Sequence, residues 1–220
     1  MTTRILFSLL LSSVALSVGC ANSGRHAESN EAMVERLPAR DRTRIDDARA
    51  ERDRRGDELA AAKQDAVRSR SELEVAKKGL EVAEARVAKA QASVHVAESG
   101  STDELEAARD ALTEAQAGLA APRAEIGWRA CDIVRRDEGV HVAGRKHELA
   151  SAQVDAITAR AVGGLDRTST DSTQLELHEK RVRDCEKELA LAQVQFDAAA
   201  RECTLAEDAY KASAEPSAKG

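Results

Sequence analysis

The sequence predicts an all-α, elongated antiparallel coiled coil: a long helical hairpin followed by a shorter third helix. The first observation is composition, because charged residues make up 33% of the 220 residues while the chain has one Trp, one Tyr, two Phe and three Pro. Such a composition is typical of long exposed helices. The second is a three-four spacing of apolar residues that continues for eight heptads from Ile45, which is enough to identify a coiled coil.

The hairpin is predicted at residues 40–162, with its turn at 99–103. Gly100 suits a left-handed helix C-cap, and Ser101 with Glu104 has the spacing of a capping box. Along the first helix, a column of large residues alternates with a column of small ones. These columns are Ile45, Arg52, Leu59, Ala66, Leu73, Leu80, Val87, Val94 and Ala48, Arg55, Ala62, Ser69, Ala76, Ala83, Ala90, Ala97. Alanine lets two helices approach closely, and legs of about 80 to 100 Å follow from the helical rise.

The second and third helices repeat this alternation. The second has Leu105, Leu112, Leu119, Ile126, Ile133, Val140, His147, Val154 opposite Ala108, Ala115, Pro122, Arg129, Arg136, Ala143, Ala150, Ile157. A loop rich in Gly, Ser, Thr and Asp is predicted at 163–172. The third helix is predicted at 173–213, with a seam from Leu175 to Ser213, and residues 214–220 are predicted to be a disordered tail.

The two turns set the relative heights of residues along the rod. Residues at equal height have numbers that sum to about 201 across the first turn and to about 335 across the second, as expected for antiparallel helices. The third helix therefore ends level with Pro122 and Gly79, which predicts a three-helix base below a two-helix tip of residues 79–122. Proline removes a helical hydrogen bond and glycine weakens the facing helix, so these two residues are predicted to form a hinge.

Arginines inside the seam need carboxylate partners, because an unpaired buried charge is costly. The predicted heights place Arg129 level with Glu72 and Arg136 level with Asp65. Trp128, the only tryptophan, lies just below the end of the third helix. It either covers the contact with that helix or serves as an anchor for a partner.

Cys131 and Cys203 fall at one height on the second and third helices. In an oxidising compartment they are a candidate disulfide, which requires the third helix to pack on the outer face of the second. The alternative is that both are small buried apolar residues. Cys185 faces no cysteine, and it lies about 27 Å from Cys203 along the same helix.

Composition and motifs also indicate what the protein does not do. A net charge of −6 disfavours nucleic-acid binding, which needs an excess of Lys and Arg. None of the five histidines has a metal-site spacing, and the sequence contains no Gly-rich phosphate loop and no nucleophile elbow. The sequence therefore predicts no metal, no cofactor and no enzymatic activity.

The N-terminal segment resembles the signal peptide of bacterial lipoproteins. A basic residue, an apolar run of about 14 residues that is too short to span a bilayer, and a glycine precede Cys20. This resemblance implies a signal peptide at 1–19, acyl chains including palmitate on Cys20, and a membrane-proximal linker at 20–39. An ordinary cleaved secretory signal is the alternative.

The general design is similar to that of small α-helical outer-membrane lipoproteins. This resemblance implies a structural spacer or protein-interaction scaffold of the bacterial cell envelope, anchored by acyl chains and facing the periplasm. Its partners would be the membrane and either an envelope protein or the cell wall. Lys219 is followed by Gly220, so the covalent wall linkage of the murein-linked type is not expected. Alternatives are a reduced periplasmic adaptor of an export machine and a periplasmic chaperone with helical arms.

Overall fold

The computed structural model describes residues 31–164 and 169–214, and for residues 169–172 it describes the backbone alone. After a short helical segment at 31–35, the described chain forms helices α1 Ala39–Ala97, α2 Thr102–Ala117, α3 Ala120–Gly163 and α4 Ser169–Ala214. These ranges contain no strand, and the helices pack against one another. The predicted all-α fold, a helical hairpin with an additional helix, is therefore confirmed.

α1 forms one uninterrupted leg of the hairpin. Its 59 residues correspond to about 88 Å at the standard helical rise. At the turn, the predicted capping box forms: the Ser101 hydroxyl accepts from the Glu104 amide, and the Glu104 carboxylate accepts from the Ser101 amide at 2.9 Å. The left-handed cap at Gly100 is wrong, since no glycine in the described ranges has a positive φ. The turn closes instead with a Gly100 amide that donates to the Ala97 carbonyl at 3.0 Å.

The other leg of the hairpin is interrupted, because Gly118 and Leu119 separate α2 from α3. Pro122 explains the position of this break. In a continuous helix, the residue 122 amide would donate to the Gly118 carbonyl, but proline has no amide hydrogen and its ring crowds that carbonyl. Pro122 instead occupies the first turn of α3, where a missing donor is tolerated. The break thus begins one turn before the predicted hinge residue, whereas α1 continues through Gly79 without interruption.

The remaining boundaries differ slightly from the prediction or fall outside the described residues. α4 begins at Ser169, four residues before the predicted start at 173, and it ends at Ala214. Residues 1–30, with Cys20, residues 165–168 and the tail 215–220 lie outside the described residues. None of the described helices has a stretch long and apolar enough to cross a membrane.

α3 is the middle helix of the base. It packs closely against α1 with one face and against α4 with another, while α1 and α4 hardly approach each other. The predicted seam positions of α1 and α4 are all buried or half-buried, which supports the large-and-small pattern of the sequence. α2 packs on α1 alone, so a two-helix tip extends beyond the three-helix base.

Candidate functional site

Side chains from three helices meet where the base gives way to the tip. We call this set the junction layer. It comprises Ser69 and Glu72 of α1, Trp128, Arg129, Cys131, Asp132, Arg135 and Arg136 of α3, and Cys203 and Tyr210 of α4. The predicted register is correct here: Arg129 donates to Glu72 at 2.5 Å, and Arg136 lies 3.7 Å from Asp65.

A series of aromatic and ionic side-chain contacts crosses the junction layer from α4 to α1. The rings of Trp128 and Tyr210 stack with their centroids 5.3 Å apart and their planes 4° apart. The Arg129 guanidinium lies over the Trp128 ring, 4.1 Å from its centroid, and the same guanidinium donates to Glu72 of α1. Trp128 therefore covers the contact between α3 and α4, and its half-buried ring also borders solvent.

Asp132 is the buried centre of the junction layer, with 2% of its surface exposed. Its carboxylate accepts from the Ser69 hydroxyl at 3.0 Å, from Arg136 Nε at 2.8 Å and from Arg135. Burial by itself would raise the pKa of Asp132, but the hydrogen bonds from Arg136, Arg135 and Ser69 outweigh burial and lower it. A fully paired carboxylate at this position fixes the register of α3 against α1.

Sequence reasoning missed Asp132, since it belongs to neither heptad column of α3. A signal was present nonetheless. Asp132 and Ser69 have numbers that sum to 201, and Ser69 is the one polar, uncharged residue in the small column of α1. A hydroxyl inside an alanine column indicates a polar partner at the same height, because buried hydroxyls are almost always hydrogen-bonded.

The structure brings the two candidate disulfide cysteines together. Cys203 is buried, Cys131 is half-buried, and the two residues lie close enough for Cys131 to affect the pKa of Cys203. Burial, together with the hydrogen bond to Cys131, raises the pKa of the Cys203 thiol to about 11. Both residues are free thiols in this structure, so the disulfide stays a prediction. Cys185 is also a free thiol, and burial raises its pKa as well.

The histidines and a groove beside α3 were further candidates for a site. In the part of the chain that the structure describes, no three His, Cys, Asp or Glu side chains are grouped as metal ligands. His147 Nδ1 lies 3.2 Å from the Arg52 carbonyl oxygen, a contact between α3 and α1. A groove of about 620 Å³ between α1 and α4 is lined by apolar side chains such as Leu59 and Leu191 and by charged ones such as Arg145 and Glu188.

A second surface, also missed from the sequence, begins at the top of the base and continues along the tip. The α1 face that points away from α2 carries a stripe at three-four spacing, which we call the tip stripe: Val75, Lys78, Val82, Ala85, Lys89, Ala92 and Val96. Its valines are 70%, 55% and 73% exposed. In the base, the same face of α1 is mostly polar, with Asp47, Arg54, Asp57, Gln64, Arg68 and Ser71 beside Ala50 and Ala61. Valines therefore occur on this face only in the tip and in the last turn of the base below it.

No protein-family model matches the chain, and neither a curated protein nor a solved structure shows detectable similarity to it. The junction layer and the tip stripe therefore have to be interpreted from their own chemistry. The junction layer is suited to holding three helices in register, whereas the tip stripe is suited to packing against another helix.

Proposed function

We propose that the protein is a lipid-anchored spacer of the bacterial cell envelope that presents its tip to a partner in the periplasm. The observation that supports this most strongly is α1, a single helix of 59 residues that extends from the base to the hairpin turn. The candidate acylation site, Cys20, precedes α1 by 19 residues of sequence. A rod of about 88 Å attached at its base would hold the tip far from the membrane surface.

Ionic contacts across the helices support a stiff base. Within the described residues, Arg70 lies 2.6 Å from Asp137, Arg145 lies 2.9 Å from Glu188, and further pairs join α3 to α4. Exposed pairs contribute only about 0 to 1 kcal/mol each. Their value to a spacer is to disfavour sliding of one helix along another, since sliding would separate several pairs at once.

The tip stripe supports the scaffold part of the proposal. Lys78 and Lys89 lie within a line of valines and alanines, so a matching surface needs apolar side chains with carboxylates opposite the two ammonium groups. The proposed partner of the tip stripe is an amphipathic helix of an envelope protein that has acidic residues beside its apolar face. α2 does not occupy the stripe, because it packs on the opposite face of α1.

The anchor is tested by Cys20→Ser. Several acyl chains give effectively stable membrane attachment, so the variant should move from the membrane fraction to the soluble periplasmic fraction. Fractionation followed by immunoblotting measures this, and mass spectrometry of the mature N-terminus checks for acylation. A variant that stays with the membrane would show that Cys20 is not the anchor. A periplasmic chaperone would keep its client-binding activity in this variant, whereas a spacer would lose its function.

The tip partner is tested by a photo-crosslinking amino acid introduced at Val82 or Val96. The matched control is Val67, a base valine that is 60% exposed. We expect adducts from the two tip positions, with the cross-linked peptide mapping to an apolar and acidic helix, and loss of these adducts in Lys78→Glu/Lys89→Glu. Adducts with a second copy of the chain, or equal yields at Val67, would contradict the proposed occupant. An adduct with a channel protein would favour the adaptor alternative.

A further inference from the structure

The two halves of α4 are held on α3 by different interactions. In the described chain, the ion pairs between these helices involve Glu179, Arg181 and Glu188 of α4, all in its N-terminal half. Residues 190–214 form no such pair with α3. The only ion pair described for that half joins Lys211 to Glu207 within α4 itself.

Side-chain packing alone holds this C-terminal half. Phe196 lies over Gly139, where a side chain on the glycine would meet the phenylalanine ring at 3.6 Å. Fourteen residues further along α4, Tyr210 stacks on Trp128. The Cys131 and Cys203 thiols lie between these two aromatic contacts, at the centre of the half that lacks ionic tethers.

We propose that Cys131 and Cys203 form a reversible disulfide, a redox clasp that fastens the C-terminal half of α4 to α3 under oxidising conditions. Reduction opens the clasp and leaves only apolar and aromatic packing to hold this half. The α3 face with Trp128 then becomes accessible whenever the end of α4 detaches. This inference does not depend on the proposed spacer function, since it concerns only contacts within the base.

The chemistry requires a disulfide-bearing oxidant, such as oxidised glutathione or a protein disulfide. The Cys131 thiolate attacks one sulfur of this oxidant, forms a mixed disulfide and releases one thiolate. The Cys203 thiol then loses its proton and attacks the Cys131 sulfur, which forms the internal bond and releases the second thiolate. Two protein thiols are oxidised, and one external disulfide is reduced to two thiols.

The different exposure of the two cysteines gives this order of events. Cys131 is half-buried and Cys203 is buried, so Cys131 is the more accessible of the two residues to an external disulfide. Burial also raises the pKa of Cys203, which disfavours its thiolate as the first attacking group. Reduction begins at the same accessible sulfur, with an external thiolate attacking Cys131.

The test uses the full chain with Cys20→Ser, so that its three internal thiols are the only ones and the outcome is independent of acylation. After equilibration in oxidised or reduced glutathione, free thiols are alkylated and peptides are mapped by mass spectrometry. We expect a Cys131–Cys203 peptide and an alkylated Cys185 in the oxidised sample. Amide exchange in residues 196–213 should be slower in the oxidised form by roughly 30-fold or more, the lower range for one cross-link.

Two variants separate the clasp from general effects of oxidation. Cys131→Ser should abolish the redox dependence of exchange in residues 196–213 and leave the fold intact, because this position is half-buried and serine is of similar size. Cys185→Ser should behave like the parent chain. Alkylation of both Cys131 and Cys203 after oxidation, or a disulfide through Cys185, would overturn the inference. So would a Cys131–Cys203 bond that forms without changing the exchange rate.

Discussion

The base and the tip are built from the same heptad alternation, yet they differ in what fixes the helices in place. In the base, α3 is covered on two faces, and its charged side chains pair with α1 and α4 in the junction layer and below it. In the tip, α1 and α2 share a seam of Leu, Val and Ala, and the described residues contain no ion pair between them. The apolar seam is therefore sufficient to form the hairpin, whereas the polar contacts are concentrated where three helices must stay in register.

The largest expected effect comes from removing the carboxylate at the centre of the base. Asp132→Ala removes the shared acceptor of Ser69, Arg135 and Arg136, and Arg136 keeps only its longer contact with Asp65, so the base should lose about 2 to 3 kcal/mol of stability. Urea unfolding followed by circular dichroism measures this loss. The matched control is Asp137→Ala, which removes an exposed partner of Arg70 and should cost less than about 1 kcal/mol. Equal losses in the two variants would contradict the assigned role of the buried network.

The aromatic stack is the next contact that distinguishes the base from the tip. A double-mutant cycle with Trp128→Ala and Tyr210→Ala should give a coupling energy of up to about 1.5 kcal/mol. Denaturant unfolding of the two single variants and the double variant provides this value. A cycle with Trp128→Ala and Leu205→Ala is the control, because Leu205 is exposed on the outer face of α4. If both cycles gave the same coupling, the stack would not contribute specifically.

The interruption between α2 and α3 should make the helical hydrogen bonds near residue 118 open more easily than those in the base. Amide exchange is expected to be faster in residues 118–123 than in residues 150–157, which tests the predicted hinge at Pro122 and Gly79. Pro122→Ala permits one further helical hydrogen bond, so it should raise the opening free energy around residue 118 by about 1 kcal/mol. Amide exchange there should slow accordingly. Gly79→Ala should change exchange only in α1. Uniform protection along the parent helix would remove the hinge hypothesis.

The smallest expected difference is the acid dependence that Asp132 gives to the stability of the base. Hydrogen bonds hold the pKa of Asp132 below its ordinary value of 3.8, so its ionised form stabilises the fold above that value. As the pH falls below about 3.8, the unfolded state takes up the proton first and this stabilisation is progressively lost. Thermal unfolding between pH 5 and pH 2 should show a steeper decline for the parent chain than for Asp132→Asn. Parallel curves would indicate that other carboxylates determine the acid response.

The heptad columns were sufficient to predict the helices, the register and the three-helix base. Ion pairs such as Arg129 with Glu72 could be anticipated because paired helices rise at the same rate per residue, so heights along them follow from residue numbers. The break begins at Gly118 and not at Pro122, because proline removes the hydrogen bond to the carbonyl four residues earlier and crowds that carbonyl. The start of α4 at Ser169 also lay inside a predicted loop, because Ser, Thr and Asp favour turns but are tolerated in the first turn of a helix.

The site residues were harder to predict, because heptad columns describe only one face of each helix. Asp132 and the tip stripe lie outside the columns, so their neighbours depend on where the third helix packs and where it ends. The positions of Cys131 and Cys203 could be paired by height alone. Whether Trp128 faces α4 or a partner could not be decided, since both readings place an aromatic ring on the outer face of α3.

The central position of α3 has a mechanical consequence for the base. Because α1 and α4 lie on different faces of α3 and hardly approach each other, the three helices form a row instead of a closed bundle. Such a row is about one helix diameter, roughly 10 Å, in thickness and about three diameters in width. A flat arrangement of this cross-section is stiffer to bending within its plane than to bending perpendicular to it. Thermal motion would therefore displace the tip mainly perpendicular to the plane of the three helices.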